Sequence, residues 1–298
     1  MRTVTIVIAY QKGTSPILSV CLESIKRHTA EVMHQILILT RRDGELEPEV
    51  CALAESHRAA ICELDIPQTN AVHGTMLDLV IPSNIPSDYV LTMDSDCFPI
   101  ADGWLSDLLG MMDNGAKLTG ILHPWAPPPP ELLKNTIEYR VRSQHCWEGT
   151  HVACQLVKVS DLVDLVAAGA NYKGGDDTGL LIPLLAKKAR WKIDGFKPTR
   201  CPKPAMEDFD PEFNRYVAQI FGDKVFHLGG YTRTAAFGDT KVFDNNFGWA
   251  TQKILDNQGA EFLLDDSLSY KFKFDKEEEV AQEKMQRLFG MKNSQMKG

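Results

Sequence analysis

No apolar run in this 298-residue chain approaches the length of about 18 to 20 residues that a membrane-spanning helix needs. The longest, Thr3 to Tyr10 and Gln35 to Thr40, have strand length. Basic charge is also scarce: 32 Lys and Arg face 40 Asp and Glu, for a formal net charge of -8. That balance argues against a general polyanion binder, because affinity for a nucleic acid backbone rests on cations that neutralise phosphates, although a local basic groove stays compatible with it. The cysteines make no disulfide framework. Seven is an odd count, and Cys21, Cys51, Cys62, Cys97, Cys146, Cys154 and Cys201 are scattered as reduced, buried thiols of a cytoplasmic protein would be. Internal repeats and low-complexity linkers are missing too, which excludes solenoids and collagen-like sequence. The start, Met1 to Ile8, has neither a basic region nor a small-residue cleavage site and reads as structure rather than as a signal peptide. What remains is a chain 44% hydrophobic and 24% charged, ordinary for a soluble protein and long enough for a real core.

Strand and helix patterns alternate through the first hundred residues. Thr3 to Ala9 is a β-branched run that stops at the polar turn Gln11 to Pro16. Ser15 at the N-cap with Pro16 after it opens a predicted helix through His28, whose Leu18, Cys21, Leu22 and Ile25 share one face. Gln35 to Thr40 reads as a strand, Arg42-Asp43-Gly44 as a turn, Glu47 to Arg58 as a helix and Ala60 to Leu64 as a third strand. Gly74 to Ile81 is predicted helical and ended by Pro82, and Tyr89 to Met93 is a fourth strand. Strands joined by helices of this length pair in parallel, so the predicted class is α/β with a mixed, mostly parallel sheet flanked by helices. In such sheets ligands sit beyond the carboxyl ends of the strands, so the loops after Ala9, Thr40, Leu64 and Met93 share one cleft.

Later residues are less regular. Gly115 to Leu122 and Val152 to Val159 read as strands, Ser160 to Ala168 and Asp177 to Ala189 as helices, and Lys224 to Leu228 as a short strand. The prolines of Ala126 to Glu131 require an extended segment. A catalytic domain over 1–270 and a charged, helical tail over 271–298 complete the expected organisation.

Three groups of residues can carry chemistry. Asp94-Ser95-Asp96 follows a strand directly, and two carboxylates so close repel unless a cation lies between them; oxygen ligands suit Mg²⁺ or Mn²⁺. An acidic pair in a loop is also common without any ion. Gly174-Gly175-Asp176-Asp177 precedes a predicted helix, where Asp177 can be an N-cap or a general base. His227 ends a short strand before Gly229-Gly230 and can be a metal ligand or a satisfied structural residue. His145, Cys146, His151 and Cys154 lie within ten positions, yet their spacing is not a zinc-knuckle pattern, and Cys154 falls where a strand would bury it. Trp125 and Trp147 can line an acceptor groove or pack in the core.

Taken in order, these elements resemble the GT-A fold, metal-dependent, nucleotide-sugar glycosyltransferases, family 2 in particular. The segment Thr5 to Tyr10 is similar to that family's nucleotide-contacting strand and loop. His73 to Asp78, followed by Tyr89 to Asp96, resembles the helix and strand leading into its DxD motif, and His151 to Val157 the strand after it. The resemblance covers roughly residues 3 to 235 and implies a Rossmann-like GT-A domain. It implies Asp94, Asp96 and His227 as ligands of Mn²⁺ or Mg²⁺, and Asp177, oriented by Asp176, as the base. Ala9, Tyr10, Lys12, Asp43, Asp78, Asp94, Ser95 and Arg233 would contact the sugar nucleotide, with Arg41 and Arg42 near its diphosphate. Two departures stand out. The second strand ends Thr40-Arg41-Arg42-Asp43 without the family's base-reading Asp directly after it, and the acid pair is Asp-Asp where Glu-Asp is usual.

The implied activity is inverting transfer of a sugar from a nucleoside-diphosphate sugar, a UDP-sugar foremost, to an acceptor hydroxyl on a saccharide, lipid-linked or small molecule. Three alternatives accompany it: a phage-type DNA glycosyltransferase acting on a hydroxylated base, a sugar-phosphate nucleotidyltransferase, and a non-catalytic sugar-nucleotide binder. Lys187-Lys188-Ala189-Arg190 and Lys197-Pro198-Thr199-Arg200 leave room for the first, against the overall acidity.

Overall fold

β1 (Val4–Ala9) is buried along its whole length, as a run of Val, Thr and Ile with no charged residue should be. Its side chains divide by the two-residue period of a strand: Val4, Ile6 and Ile8 enter one apolar cluster, while Val7 and Ala9 enter another on the opposite face. The computed structural model describes residues 2–42, 44–67, 72–125, 147–173, 178–203, 218–229 and 246–271.

Around β1 the chain alternates as its pattern predicts: α1 (Ser15–His28), β2 (His34–Arg41), α2 (Pro48–Ser56), β3 (Ala60–Leu64), α3 (Val72–Asn84) and β4 (Tyr89–Asp94). β1 pairs in parallel with β2 and β4, and β2 with β3. The chain continues through β5 (Cys97–Pro99), α4 (Trp104–Asp113), β6 (Leu118–Trp125), β7 (Trp147–Lys158), α5 (Val159–Ala167), α6 (Leu181–Lys188) and β8 (Ile193–Phe196). The main sheet has seven strands in the order β3-β2-β1-β4-β7-β6-β8, and only the β4–β7 and β6–β7 pairs are antiparallel. Helices cover both faces. Ile17, Leu18, Leu22 and Ile25 of α1 pack on one side; Met76, Leu77, Val80 and Ile81 of α3 pack on the other. The expected α/β, mixed and mostly parallel sheet flanked by helices is what the chain forms.

A second sheet, wholly antiparallel, adds β9 (Pro198–Pro202), β10 (Gln219–Phe221), β11 (Val225–His227) and β12 (Ser269–Lys271) in the order β12-β9-β10-β11-β5. α7 (Asn246–Asn257) packs near α1. Among the described residues, no helix is long and apolar enough to cross a membrane.

Several local expectations change. α1 takes Thr14, not Ser15, as its N-cap, and the Thr14 hydroxyl donates back to the Gln11 carbonyl. α3 does not stop at Pro82 but runs to Asn84; a proline in a last turn removes one helical hydrogen bond, and little helix remains to break. β6 starts at Leu118 rather than at Gly115, which has a φ of 90° in the preceding turn, and β7 starts five residues early at Trp147. α6 begins at Leu181 with Leu180 at its N-cap, and Asp177 lies outside the described residues. The elements α4, β5, β8, β9, β10, β12 and α7 were not anticipated by pattern. The proline run of 126–131 and the tail from Asp275 lie outside the described residues.

Candidate active site

The strand order places a topological switch between β1 and β4, where β1 to β3 run outward on one side and β4 lies on the other. Ligands of open α/β sheets bind at the carboxyl ends flanking such a switch. Ala9 and Asp94 are register partners at that edge. The C-terminal ends of β2 and β3 stand beside them, since Tyr10 N–H donates to Leu39 and Arg42 N–H to Leu64.

At Asp94-Ser95-Asp96 the chain leaves the main sheet and turns at once into β5 of the second sheet. β11 pairs antiparallel with β5, setting His227 opposite Cys97, and Leu228 N–H donates to the Asp96 carbonyl at 2.9 Å. This pairing is what carries His227 from more than 130 positions away to the acid pair. One ligand atom from each of Asp94, Asp96 and His227 lies within 4.8 Å of the other two. His227 Nε2 is 3.8 Å from Asp96 Oδ1, and both residues are buried. Ser95 Oγ is buried without a hydrogen-bond partner among the described residues, and Asp94 Oδ1 has only the His73 ring nitrogen, at 3.2 Å, beside it. A buried carboxylate at Asp96 with a half-buried one at Asp94 so close calls for positive charge between them. Two oxygens and one imidazole make a donor set that fits Mn²⁺ better than Mg²⁺, which binds almost only oxygen.

The thiols beneath this site are inert. Burial, and then the charges of Asp96 and Asp94, pushes the Cys21 thiol up; burial pushes Cys154 up to about 12. Cys154 is a buried residue of β7 and belongs to no described group of metal-ligating side chains, while His145 and Cys146 lie outside the described residues.

Helix α3 does more than its sequence suggests. His73 Nε2 lies 3.2 Å from Asp94 Oδ1. One residue on, Gly74 meets the chain at Tyr172 and Lys173 so closely that a Cβ there would be 2.5 Å from Lys173 Cα. One turn further, the Asp78 carboxylate accepts the N–H groups of Tyr172 (2.6 Å) and Lys173 (3.1 Å), and burial raises its pKa despite them. Asp78, expected at the sugar nucleotide, therefore holds a neighbouring chain segment. Gly179 N–H donates to the Tyr172 carbonyl at 2.7 Å, so both flanks of 174–177 are anchored next to the helix that touches Asp94.

Of the remaining expected residues, Ala9, Tyr10 and Lys12 stand at or just after the end of β1. Ala9 and Tyr10 are buried, and the Tyr10 hydroxyl donates to Glu47 Oε2 at 2.6 Å. Burial, followed by this hydrogen bond and the charge of Glu47, raises the Tyr10 pKa. Tyr10 thus meets Glu47. Lys12 and Arg41 line a surface depression with Thr40, Gly44, Glu47 and Glu63. Asp43, Asp176, Asp177 and Arg233 lie outside the described residues, as do parts of the Trp125 to Trp147 segment. Sequence reasoning missed His73 and the grouping of His123 and His151 near His227. Spacing could not have found them, because separate strands and a helix supply them.

No protein-family model matches the chain, and no curated protein matches it in sequence. Glycosyltransferases are among the solved structures that resemble it. A mannosyltransferase from Pyrobaculum calidifontis in complex with GDP-Man and Mn²⁺ aligns at a TM-score of 0.44 and 13% identity, over 64% of this chain and 54% of that one. The glucosyl-3-phosphoglycerate synthase of Mycobacterium tuberculosis, with Mn²⁺, UDP-glucose and phosphoglyceric acid, aligns at 0.41 and 15%, over 66% and 69%. A 4-diphosphocytidyl-2C-methyl-D-erythritol synthase from Anaerococcus prevotii aligns at 0.44 and 11%, over 66% and 89%. The alignment spans about half the length of the mannosyltransferase. At such scores the likeness assigns no activity to this chain.

Proposed function

We propose that this protein is a metal-dependent, inverting glycosyltransferase that moves a sugar from a nucleoside-diphosphate sugar to an acceptor hydroxyl. The observation that carries the reading is the convergence of Asp94, Asp96 and His227 within 4.8 Å at the carboxyl edge of the sheet. Asp96 and His227 would hold Mn²⁺, with Asp94 beside them as a further ligand or a contact to the ribose. When bound, the ion neutralises the diphosphate and stabilises it as a leaving group.

Asp177 takes the acceptor's proton on a carboxylate oxygen, and Asp176 orients the acceptor. The acceptor oxygen forms its bond to the anomeric carbon as the bond to the diphosphate oxygen breaks. The electron pair departs with the diphosphate, and configuration inverts. His73, 3.2 Å from Asp94, steadies that carboxylate. Anchoring of Tyr172, Lys173 and Gly179 supports a base delivered from 174–177 toward the same edge. Lys12 and Arg41, on the depression beside β1 and β2, suit the nucleotide end of the donor, a UDP-sugar foremost. A cytoplasmic location goes with this reading, in keeping with cysteines that are free among the described residues.

Thermal-shift titration of the full chain with UDP-, GDP-, CMP- and dTDP-sugars in Mn²⁺ identifies the donor. Asp96→Ala is expected to abolish metal-dependent donor binding. Asp177→Asn should leave binding near wild type and lower turnover by about 10² to 10⁴. Equal loss of binding in both variants would make Asp177 a ligand or a structural cap and end its role as base. Release of pyrophosphate instead of nucleoside diphosphate would show nucleotidyl transfer, and salt-sensitive retardation of duplex DNA would favour a DNA acceptor.

A further inference from the structure

Beside the acid pair, β6, β7 and β11 each bring one imidazole to a common point. Ring centroids are 4.7 Å apart for His123 and His151, 5.4 Å for His151 and His227, and 6.1 Å for His123 and His227. One ligand nitrogen from each lies within 4.8 Å of the other two. The carriers are rigid strands of two different sheets. Phe221 walls one side, its ring 5.2 Å from that of His123. Three neutral imidazoles suit Zn²⁺ and its neighbours Cu²⁺ and Ni²⁺, and suit Mg²⁺ or Mn²⁺ poorly.

We infer that His123, His151 and His227 form a second divalent-metal site, specific for Zn²⁺-class ions, that shares His227 with the acid pair. The site itself stands on geometry alone; the competition described next also rests on the proposed function. A neutral imidazole offers one lone pair to a metal, since its other nitrogen carries the proton. His227 therefore serves one ion at a time, and Zn²⁺ on the three rings takes a ligand away from Mn²⁺ on the carboxylates. The charge of the ion is balanced locally, because Asp96 Oδ1 lies 3.8 Å from His227 Nε2. Binding has one identifiable cost. Ala153 N–H donates to His151 Nδ1 at 3.1 Å, so the neutral ring carries its proton on Nε2, and ligation either replaces that hydrogen bond or turns the ring over.

The full chain, stripped with chelator, is titrated with ZnCl₂ alone and separately with MnCl₂ by calorimetry, and melted with and without each ion. Wild type should bind one Zn²⁺ at the three rings and melt higher with it, because the ion clips two sheets together. His123→Gln and His151→Gln should each weaken Zn²⁺ by at least about tenfold and leave Mn²⁺ binding unchanged. His227→Gln should weaken both ions, and Asp94→Asn only Mn²⁺. Circular dichroism and metal-free melting verify that each variant is folded, and Co²⁺ gives a second readout through the visible absorption of a tetrahedral site, lost in the His123→Gln/His151→Gln double variant. Undiminished Zn²⁺ affinity in folded His123→Gln and His151→Gln would put the ion on the carboxylates and overturn the inference, as would failure of folded wild type to bind Zn²⁺. Zn²⁺ binding as expected with no Mn²⁺ binding at all would uphold the three-histidine site while removing the support for glycosyl transfer.

Discussion

β1 to β4 pair in parallel through helices of 14, 9 and 13 residues, whereas β5 and β9 to β12 pair antiparallel, joining Pro99 to Val225 and Lys271 to Arg200. The first block is held by continuous burial on both faces: β1 has no exposed residue, and its side chains feed two cores. The second block also feeds the core, through Phe98, Ile220, Phe221, Val225 and Phe226, and adds individual side-chain ties and a tight turn. Arg200, nearly buried, spans to Asp223 at 3.0 Å and also to Asp266 and Ser269, tying β9 to the β10–β11 turn and to the approach to β12. That turn has two consecutive residues with positive φ, Gly222 at 60° and Asp223 at 53°, closed by Lys224 N–H on the Phe221 carbonyl. It matches the twist of a tight hairpin. Repeated burial shapes one block, and specific side-chain contacts supplement burial in the other. The acid pair lies at the seam between them.

Substitutions in the two blocks should therefore fail for different reasons. Gly74→Ala should have the largest effect on stability, about 3 kcal/mol by denaturant unfolding, because the added Cβ meets backbone at Lys173 and Tyr172 that cannot yield like a side chain. It should lower turnover as well, by moving the segment that enters 174–177. Arg200→Gln should cost about 2 kcal/mol through lost charged hydrogen bonds, tempered by the exposure of Asp266. Gly222→Ala should cost about 1 kcal/mol for a left-handed φ, with the nearby Phe196 ring shifting to make room. Unfolding curves for the three variants test the order; an Arg200→Gln effect near zero would remove the contrast between the blocks.

The smallest effect belongs to an exposed tie in the parallel block. Asp88 accepts the N–H and hydroxyl of Thr3, which hold its carboxyl below its ordinary value of 3.8. A depressed carboxyl contributes stability above its unfolded pKa, and that contribution is lost as pH falls through the folded value. Asp88→Asn should thus leave the melting temperature at pH 7 slightly lower and make its decline below about pH 4 shallower. A decline unchanged from wild type would assign the acid sensitivity elsewhere.

How much of this was legible beforehand follows the same division. The strand at 4–9, the parallel pairing and the shared cleft edge could be read because period-two and period-3.6 burial write themselves into neighbouring residues. Asp94, Asp96 and His227 could be named from a resemblance in order and type. The hairpin around Gly222-Asp223 had a usable turn signal that went unread, while β5 and β12, three residues each, carry too little pattern to be seen. Asp78 was assigned to the nucleotide on sequence, yet its oxygens meet Tyr172 and Lys173, contacts that span more than ninety positions.

By itself the sequence determined the parallel core and supplied the acids, since hydrophobic period and residue type act over a few neighbours. Only the tertiary structure decided that His227 sits beside Asp96, that His73 reaches Asp94, and that His123 and His151 turn toward the same imidazole. The meetings at His227 depend on one antiparallel pairing, β5 with β11, and that of His73 with Asp94 on how α3 lies against the end of β4. Hydrogen bonds between distant strands form at closures that no local pattern encodes.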